Sequence, residues 1–388
     1  MIPFDAAKLE RLMAEAGLDA VLATSRHNAR YLTGGYYHHF TARTGRSGQA
    51  QYLSVVGVPR DLRAAFHVGG GDEGTLLQRF GPVWIDERLA AVRGQPMTVG
   101  AALAAADALR RRGLDAGTIG LEMPFLPADA FETLRQELPG ATLVDASALL
   151  GRLRAIKRPE ELELLRRVHR ITGEAIAAAM TGATAGRSTQ ELAASVACGI
   201  GARGASFLYC LASVGPGMMR APGPERWEAG HPLHLDAGGE LEEYVSDICR
   251  MGSLGPVPAE ARAMYVACIE ASDRLREQLV PGLPCSEVVR RGTDGIRATR
   301  WGPHGGFTAH GMGMVSHESP ALGASAPGVL EAGMVLSLET EVRRPDIGHV
   351  KFEDSVVIGA DGCQSLGEAG REWCAVEAVA SGTGRQAP

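Results

Sequence analysis

The stretch LHLDAGGELEEYVSDICRMG, residues 233 to 252, places Asp236 and Asp247 on the two arms of a β-hairpin. An even-length loop near Gly239 to Glu242 would make the two aspartates direct partners on one face of the strand pair. Like charges set directly opposite each other destabilise a sheet unless something cationic lies between them. Two readings are open at this point. Either the acids are solvated residues flanking a turn, where Asp is common, or they are a pair built to share a positive ion.

Composition narrows the ligand. The net charge of −6 is mild, with no basic stripe or long charge run, which argues against nucleic acid or an anionic membrane as partner and for a small molecule or peptide. Seven cysteines (Cys198, Cys210, Cys249, Cys268, Cys285, Cys363 and Cys374) are scattered, odd in number and without C-x-x-C spacing. They read as reduced thiols of a cytoplasmic protein. The opening MIPFDAAKLERLMAEAG lacks a basic region followed by an apolar stretch, and no apolar run reaches membrane-spanning length.

With 388 residues, 45% of them hydrophobic, two domains are expected. Leu9, Leu12 and Met13 at helical spacing, the Gly17 stop and the apolar run 19–24 read as helix then strand. QYLSVVGVP, DLRAAFHVGG and GTIGLEM read as further strands and GAALAAADALRRRG as a helix, so residues 1–152 form an α/β domain. Pro159 with Glu160 and Glu161 in the next turn marks a fresh helix start, and the second domain is taken as 153–388. There, Ser188 and Glu191 resemble a capping box, PAEARAMYVACIEASDRLREQL reads as another helix, and strands are expected at 206–213, 233–237, 244–250, 334–340 and 351–358. This half is α+β.

The same half supplies more candidate ligands. TAHGMGMVSHESP carries His310 and His317 in a glycine-rich segment, GMVLSLETEV puts Glu339 and Glu341 at the end of an apolar strand, and GHVKFEDSVVIG carries Glu353 and Asp354. Singly, a strand-end Glu is commonly a surface residue and a lone His a satisfied core residue. Together, a carboxylate-rich set with imidazole suits Mn²⁺, Co²⁺, Fe²⁺ or Zn²⁺ rather than a thiolate site. Four carboxylates exceed the need of one dication, and the natural solution is two metals about 3.5–4 Å apart activating a water.

These motifs resemble the pita-bread-fold metallohydrolases, the family of Xaa-Pro dipeptidase (prolidase), aminopeptidase P and creatinase, peptidase family M24. The resemblance rests on Asp236, Gly238 and Asp247, on the H-G-x-G-x-x-x-H-E run from His310 to Glu318, on Glu339 after G-M-V, and on Glu353 followed by Asp354. NARYLTG and RLRAIKRPEELELLR resemble the N-terminal domain and the following helix of the prolidase and creatinase branch, so the similarity covers the whole chain. It implies a C-terminal pita-bread domain, overall α+β, behind an N-terminal α/β creatinase-like domain. It also implies that Asp247 and Glu353 bridge two divalent ions, Mn²⁺ first among Mn²⁺, Co²⁺, Zn²⁺ and Fe²⁺. Asp236 would complete one ion's shell, and His310 with Glu339 the other's. His317 would bond the substrate carbonyl or oxyanion, and Glu339 would take part in activating water.

Two departures bear on substrate. The peptidases of this family carry a His about seventeen residues before the first Asp, where this chain has Met218, Met219 and Arg220, and the Arg of R-x-E-D is Lys351. That pattern resembles members that left peptide chemistry. The function expected is hydrolysis of an amide- or amidine-type C–N bond in a small carboxylate-bearing substrate. The alternatives are a true Xaa-Pro peptidase, a lyase on the same metal platform, or a binding module without catalysis. Creatinase-like members are homodimers in which the partner closes the pocket, and GGYYHHFTARTGRSGQ, with Tyr37, His38 and Arg43, is a candidate for holding a substrate carboxylate, as is Arg220.

Overall fold

Leu9, Leu12 and Met13 are buried on α1 (Ala6–Glu15), which begins where the Asp5 side chain accepts a hydrogen bond from the Lys8 backbone N–H. The computed structural model describes residues 2–34, 52–70 and 84–377. The chain separates into two units, Met1–Leu153 and Arg154–Pro388.

The first unit holds a six-stranded sheet: β1 (Ala20–Ala23), β2 (Val55–Pro59), β3 (Phe66–Gly69), β4 (Glu87–Ala90), β5 (Thr118–Leu121) and β6 (Thr142–Asp145). Its strand order is β4-β3-β2-β1-β5-β6. The sheet is mixed: β1 runs parallel to β5 but antiparallel to β2. Helices α2 (Arg26–Thr33), α3 (Met97–Arg110), α4 (Ala128–Glu137) and α5 (Ser147–Arg154) accompany it. The alanines of α3 allow close approach to the sheet, and Ala101, Ala105 and Leu109 share a core with Phe66, Val68, Ile119 and Leu121.

The second unit opens with α6 (Pro159–Thr181), where Glu161 closes a capping box with Arg158, and α7 (Thr189–Ala202), capped by Ser188 and Glu191. Helices α8 (Ala259–Arg276) and α9 (Cys285–Arg297) follow β7 (Ser206–Val214), β8 (Pro232–Leu241), β9 (Tyr244–Val245) and β10 (Ile248–Leu254). β11 (Gly305–Gly311), β12 (Val335–Arg344), β13 (Gly348–Ile358), β14 (Cys363–Ser365) and β15 (Cys374–Val376) complete the chain's strands among the described residues. The main path is β11-β12-β13-β10-β8-β7. Among the described residues, no helix is long and apolar enough to cross a membrane.

Period-two alternation splits this sheet into two faces. Leu233, Leu235 and Ala237 of β8 pack in the core that α6 and α7 share. Ala309, Leu336, Leu338 and Val356 pack with Val288 of α9, and Val350 and Phe352 with Met264 and Tyr265 of α8. The intervening residues, among them Asp236, His310, Glu339, Lys351 and Glu353, therefore lie on the opposite face.

The structure corrects the hairpin register. Cys249, not Asp247, lies opposite Asp236, because the turn is Glu242–Glu243, with Leu241 paired to Tyr244. Both turn residues have positive φ, 49° and 72°, a left-handed conformation that Asn-Gly usually supplies. Gly239, expected to open the turn, lies in the strand instead, as does Gly238. A Cβ on Gly238 would stand 2.3 Å from the Tyr209 ring, and one on Gly239 2.8 Å from Thr172 Oγ1. The expected strand 244–250 is also broken, since Ser246 and Asp247 fall between β9 and β10. β11 was not expected at all, and it carries His310.

Only one residue pair, Cys249 with Glu353, joins β10 to β13 by register. Arg250 reinforces that junction from the helix-covered face. Its guanidinium donates to the carbonyls of Cys249 (2.9 Å) and Glu353 (2.7 Å) and pairs with Asp354 at 2.6 Å, all buried. Removing one partner of such a buried pair costs about 3–5 kcal/mol. Arg250→Met is expected to lower the thermal midpoint by roughly 10 °C in a circular-dichroism melt, at about 2–4 °C per kcal/mol for a unit of this size.

Candidate metal centre

Backbone register brings the sequence-predicted ligands onto one line across the sheet. Asp236 on β8 faces Cys249 on β10, Cys249 faces Glu353 on β13, Glu353 faces Glu339 on β12, and Glu339 faces Thr308 on β11. His310 lies two residues beyond Thr308, on the same face. Asp247 enters from the break before β10. Glu339, expected at a strand end, sits in the middle of β12.

Asp236, Asp247, Cys249, His310 and Glu353 are buried, and Glu339 is largely so. Ligand atoms of Asp247, His310 and Glu353 lie within 4.8 Å of one another. His310 Nε2 points at Glu339 Oε1 (3.3 Å) and Asp247 Oδ2 (3.8 Å) and has no hydrogen-bond partner among the described residues. Ser337 Oγ donates to Glu353 Oε1 at 2.9 Å, while the other oxygen of that carboxylate faces Lys351.

The electrostatics are those of a cluster short of positive charge. Burial, then the carboxylate of Asp236, pushes Asp247 up to about 6. Burial and the Asp247 carboxylate push Glu353 well above the usual range. Glu339 is also raised by burial, but His310 and Lys351 outweigh it and hold it down to about 2. Hard oxygen donors around one imidazole, with an unpartnered Nε2 and acids pushed upward for want of counter-charge, fit a divalent ion. A second convergent group, His234, Asp236 and Cys249, lies beside it. There, burial and the neighbouring His349 keep His234 neutral, and burial raises the Cys249 thiol.

Several contributors escaped the sequence reading. Tyr209 on β7 donates its phenol proton to Asp247 Oδ1, and burial together with that carboxylate raises its own pKa, so it stays a donor. The space its ring needs is what Gly238 leaves open. Lys351 had stood only as a replaced arginine. Its Nζ lies 2.8 Å from Asp236, 2.7 Å from Glu339 and 2.8 Å from Glu353. Alternation was the available signal, since a Lys two residues before a ligand Glu on one strand shares its face.

The other predicted residues fall as follows. His317 is exposed, stacks on His310 with ring centroids 3.9 Å apart, and has Ser316 Oγ 3.0 Å from Nδ1. Burial of part of the ring, then His310, lowers its pKa. Glu318 is structural, bridging Lys157 and Arg154 at 3.0 Å each with all three side chains buried. Arg220 Nη1 reaches Asp236 at 3.3 Å. Met218 and Met219 are turned outward, 41% and 72% exposed. Tyr37, His38 and Arg43 lie outside the described residues.

Comparison with known proteins follows the same lines. Residues 163–360 match the family model for metallopeptidase family M24, and residues 6–156 match the creatinase/prolidase N-terminal domain. The Xaa-Pro dipeptidase of Pyrococcus furiosus is 29% identical over 226 residues, 57% of this chain and 65% of that protein. A Bacillus subtilis protein named uncharacterized peptidase YqhT is 26% identical over 374 residues, 94% of this chain and 98% of that one. Among solved structures, a dipeptidase from Pyrococcus horikoshii OT3 superposes with a TM-score of 0.81 at 23% identity, covering 96% of this chain and 99% of that one. The Xaa-Pro dipeptidase from Bacillus anthracis does so with a TM-score of 0.80 at 23% identity, covering 96% and 100%. These last two likenesses establish the fold, pita-bread behind a creatinase-like domain. With more than half its length matched and the candidate metal-binding residues inside that match, the chain belongs to metallopeptidase family M24 and is a metal-dependent, peptidase-type hydrolase.

Proposed function

We propose that this chain hydrolyses an amide-type C–N bond in a small carboxylate-bearing substrate, using two divalent ions of which Mn²⁺ is the first candidate. The observation that carries the reading is the convergence of Asp236, Asp247, His310, Glu339 and Glu353 on one sheet face. Asp247 and Glu353 would be shared between the ions, with His310 and Glu339 on one side and Asp236 on the other. When bound, such ions polarise a carbonyl and lower the pKa of water.

The remaining steps belong to side chains. Glu339, held ionised, is placed to accept the proton of the attacking water. His317 is kept neutral by its surroundings. In the tautomer where Ser316 Oγ donates to Nδ1, the ring proton sits on Nε2 and can bond the developing oxyanion. Met218 and Met219 cannot pass a proton to a leaving amine, which supports a substrate other than an ordinary peptide. The second reading, an Xaa-Pro dipeptidase, draws its support from the similar proteins that carry that name. A homodimer in the cytoplasm completes the proposal, the seven cysteines being unpaired.

The assay is a panel of N-acyl amino acids, creatine, ectoine and Xaa-Pro dipeptides with Mn²⁺-loaded protein. Turnover of a non-peptide member above that of the dipeptides is expected, whereas efficient Xaa-Pro cleavage selects the second reading. Chelation should abolish activity, and Glu339→Gln should lower kcat by about 10²–10³ while leaving the fold intact. Tyr209→Phe removes the donor that orients Asp247 and is expected to weaken metal binding about 10–100-fold in a chelator competition titration.

A further inference from the structure

His317 sits on a segment, residues 312–317, that belongs to no helix or strand, and its ring is exposed against His310 at 3.9 Å between centroids. The next residue is its opposite. The Glu318 side chain is 2% exposed and its carboxylate is gripped at both oxygens. Arg154 Nη2 and Nε donate to Oε2 at 3.0 and 3.2 Å, and Lys157 Nζ donates to Oε1 at 3.0 Å. The backbone is held as well, since Glu318 N donates to Gly311 O at 2.9 Å, and that carbonyl lies 3.3 Å from His310 Nδ1. Lys157 N in turn donates to Gly333 O at 2.9 Å, two residues before β12. The glycines of the H-G-x-G run leave room for all this. A Cβ on Gly311 would stand 2.5 Å from Glu318 O, and one on Gly313 2.3 Å from Glu318 Oε1.

We propose that Arg154, Lys157 and Glu318 form a positioning clamp for His317, fixing the chain on its C-terminal side so that the ring stays against His310 and in reach of the substrate oxygen. The inference rests on the oxyanion role given to His317 above and deepens it by naming what sets that role's geometry. A buried ion pair stabilises a fold no better than well-packed apolar side chains do. What it supplies here is direction, because a carboxylate held from two sides cannot slide toward either, and His317 is one peptide bond away. An oxyanion donor has to be held within about 0.5 Å of its productive place, and an exposed ring does not obtain that from packing. Burial raises the Glu318 carboxyl, but Lys157 and Arg154 outweigh it and hold it below the usual range, so the clamp stays charged at neutral pH.

The test is a double-mutant cycle between Glu318→Gln and His317→Ala, read as kcat and KM of Mn²⁺-loaded full-length protein on the panel substrate it turns over fastest. Glu318→Gln keeps the size and removes the charge. It is expected to lower kcat by about 30–100-fold with KM within about threefold, since a 1 Å misplacement costs on the order of 10²-fold. In the His317→Ala background the same change is expected to cost less than about threefold, because the ring it positions is gone. Lys157→Met, which removes one of the two cations, takes its place where Glu318→Gln does not fold. Independently of turnover, the His317 Cε1–H proton resonance, assigned by its loss in His317→Ala, is expected to lose the ring-current shift of stacking on His310 in either variant. An unchanged kcat, an equal loss in both backgrounds, a loss that falls on KM, or an unmoved His317 resonance overturns the clamp and leaves the hydrolase standing. No turnover of any panel substrate by wild type overturns the proposed function instead, and the resonance then decides the clamp by itself.

Discussion

Four carboxylates gathered on a buried sheet face need positive charge among them, and the C-terminal unit is organised around that need. Burial, then the neighbouring carboxylates, pushes Asp247 and Glu353 toward the protonated form. Lys351, within hydrogen-bonding distance of three of the carboxylates, and His310, against Glu339 and Asp247, hold Glu339 ionised but do not offset the upward shift of the other two. A site of this kind holds a cation because it is unsatisfied without one.

The sheet accomplishes this by register. One rung runs from Asp236 through Cys249, Glu353 and Glu339 to Thr308, and the alternate residues of the same strands turn apolar side chains to the helices. A slip of one residue in any strand would exchange the two faces. The Glu353–Asp354 pair shows both duties side by side. Glu353 enters the centre, while Asp354 on the other face anchors Arg250, whose guanidinium also grips the carbonyls of the one β10–β13 register pair, Cys249 with Glu353. Glu318 works in the same manner for the loop after β11, since its two buried cations tie the residue following His317 to the start of the unit. Strands position such ligands more closely than loops do.

Much of this was legible in the residues. The two aspartates, the histidine and the two glutamates singled out as candidate ligands converge on one sheet face, and Pro159 and the Ser188–Glu191 box fall where their helices begin. What escaped had physical causes. Glu242 and Glu243 adopt a turn conformation that neither residue advertises, so Gly239 drew the turn toward itself, although it and Gly238 are glycines to admit Thr172 and the Tyr209 ring. β11 is short on β-branched residues and rich in glycine, so His310 looked like a loop residue. Tyr209 and Arg250 act across strands distant in sequence, and nothing in their local pattern marks them. Lys351 carried a signal in its spacing from Glu353, but only the register of three strands shows how many carboxylates it reaches.

The most direct measurement of the central claim is anomalous X-ray diffraction from crystals of the full chain grown with Mn²⁺. The account predicts a strong manganese peak bounded by Asp247, His310 and Glu353, on the sheet face opposite the helices. No peak among those residues, or one only beside His234 and Cys249, would contradict it.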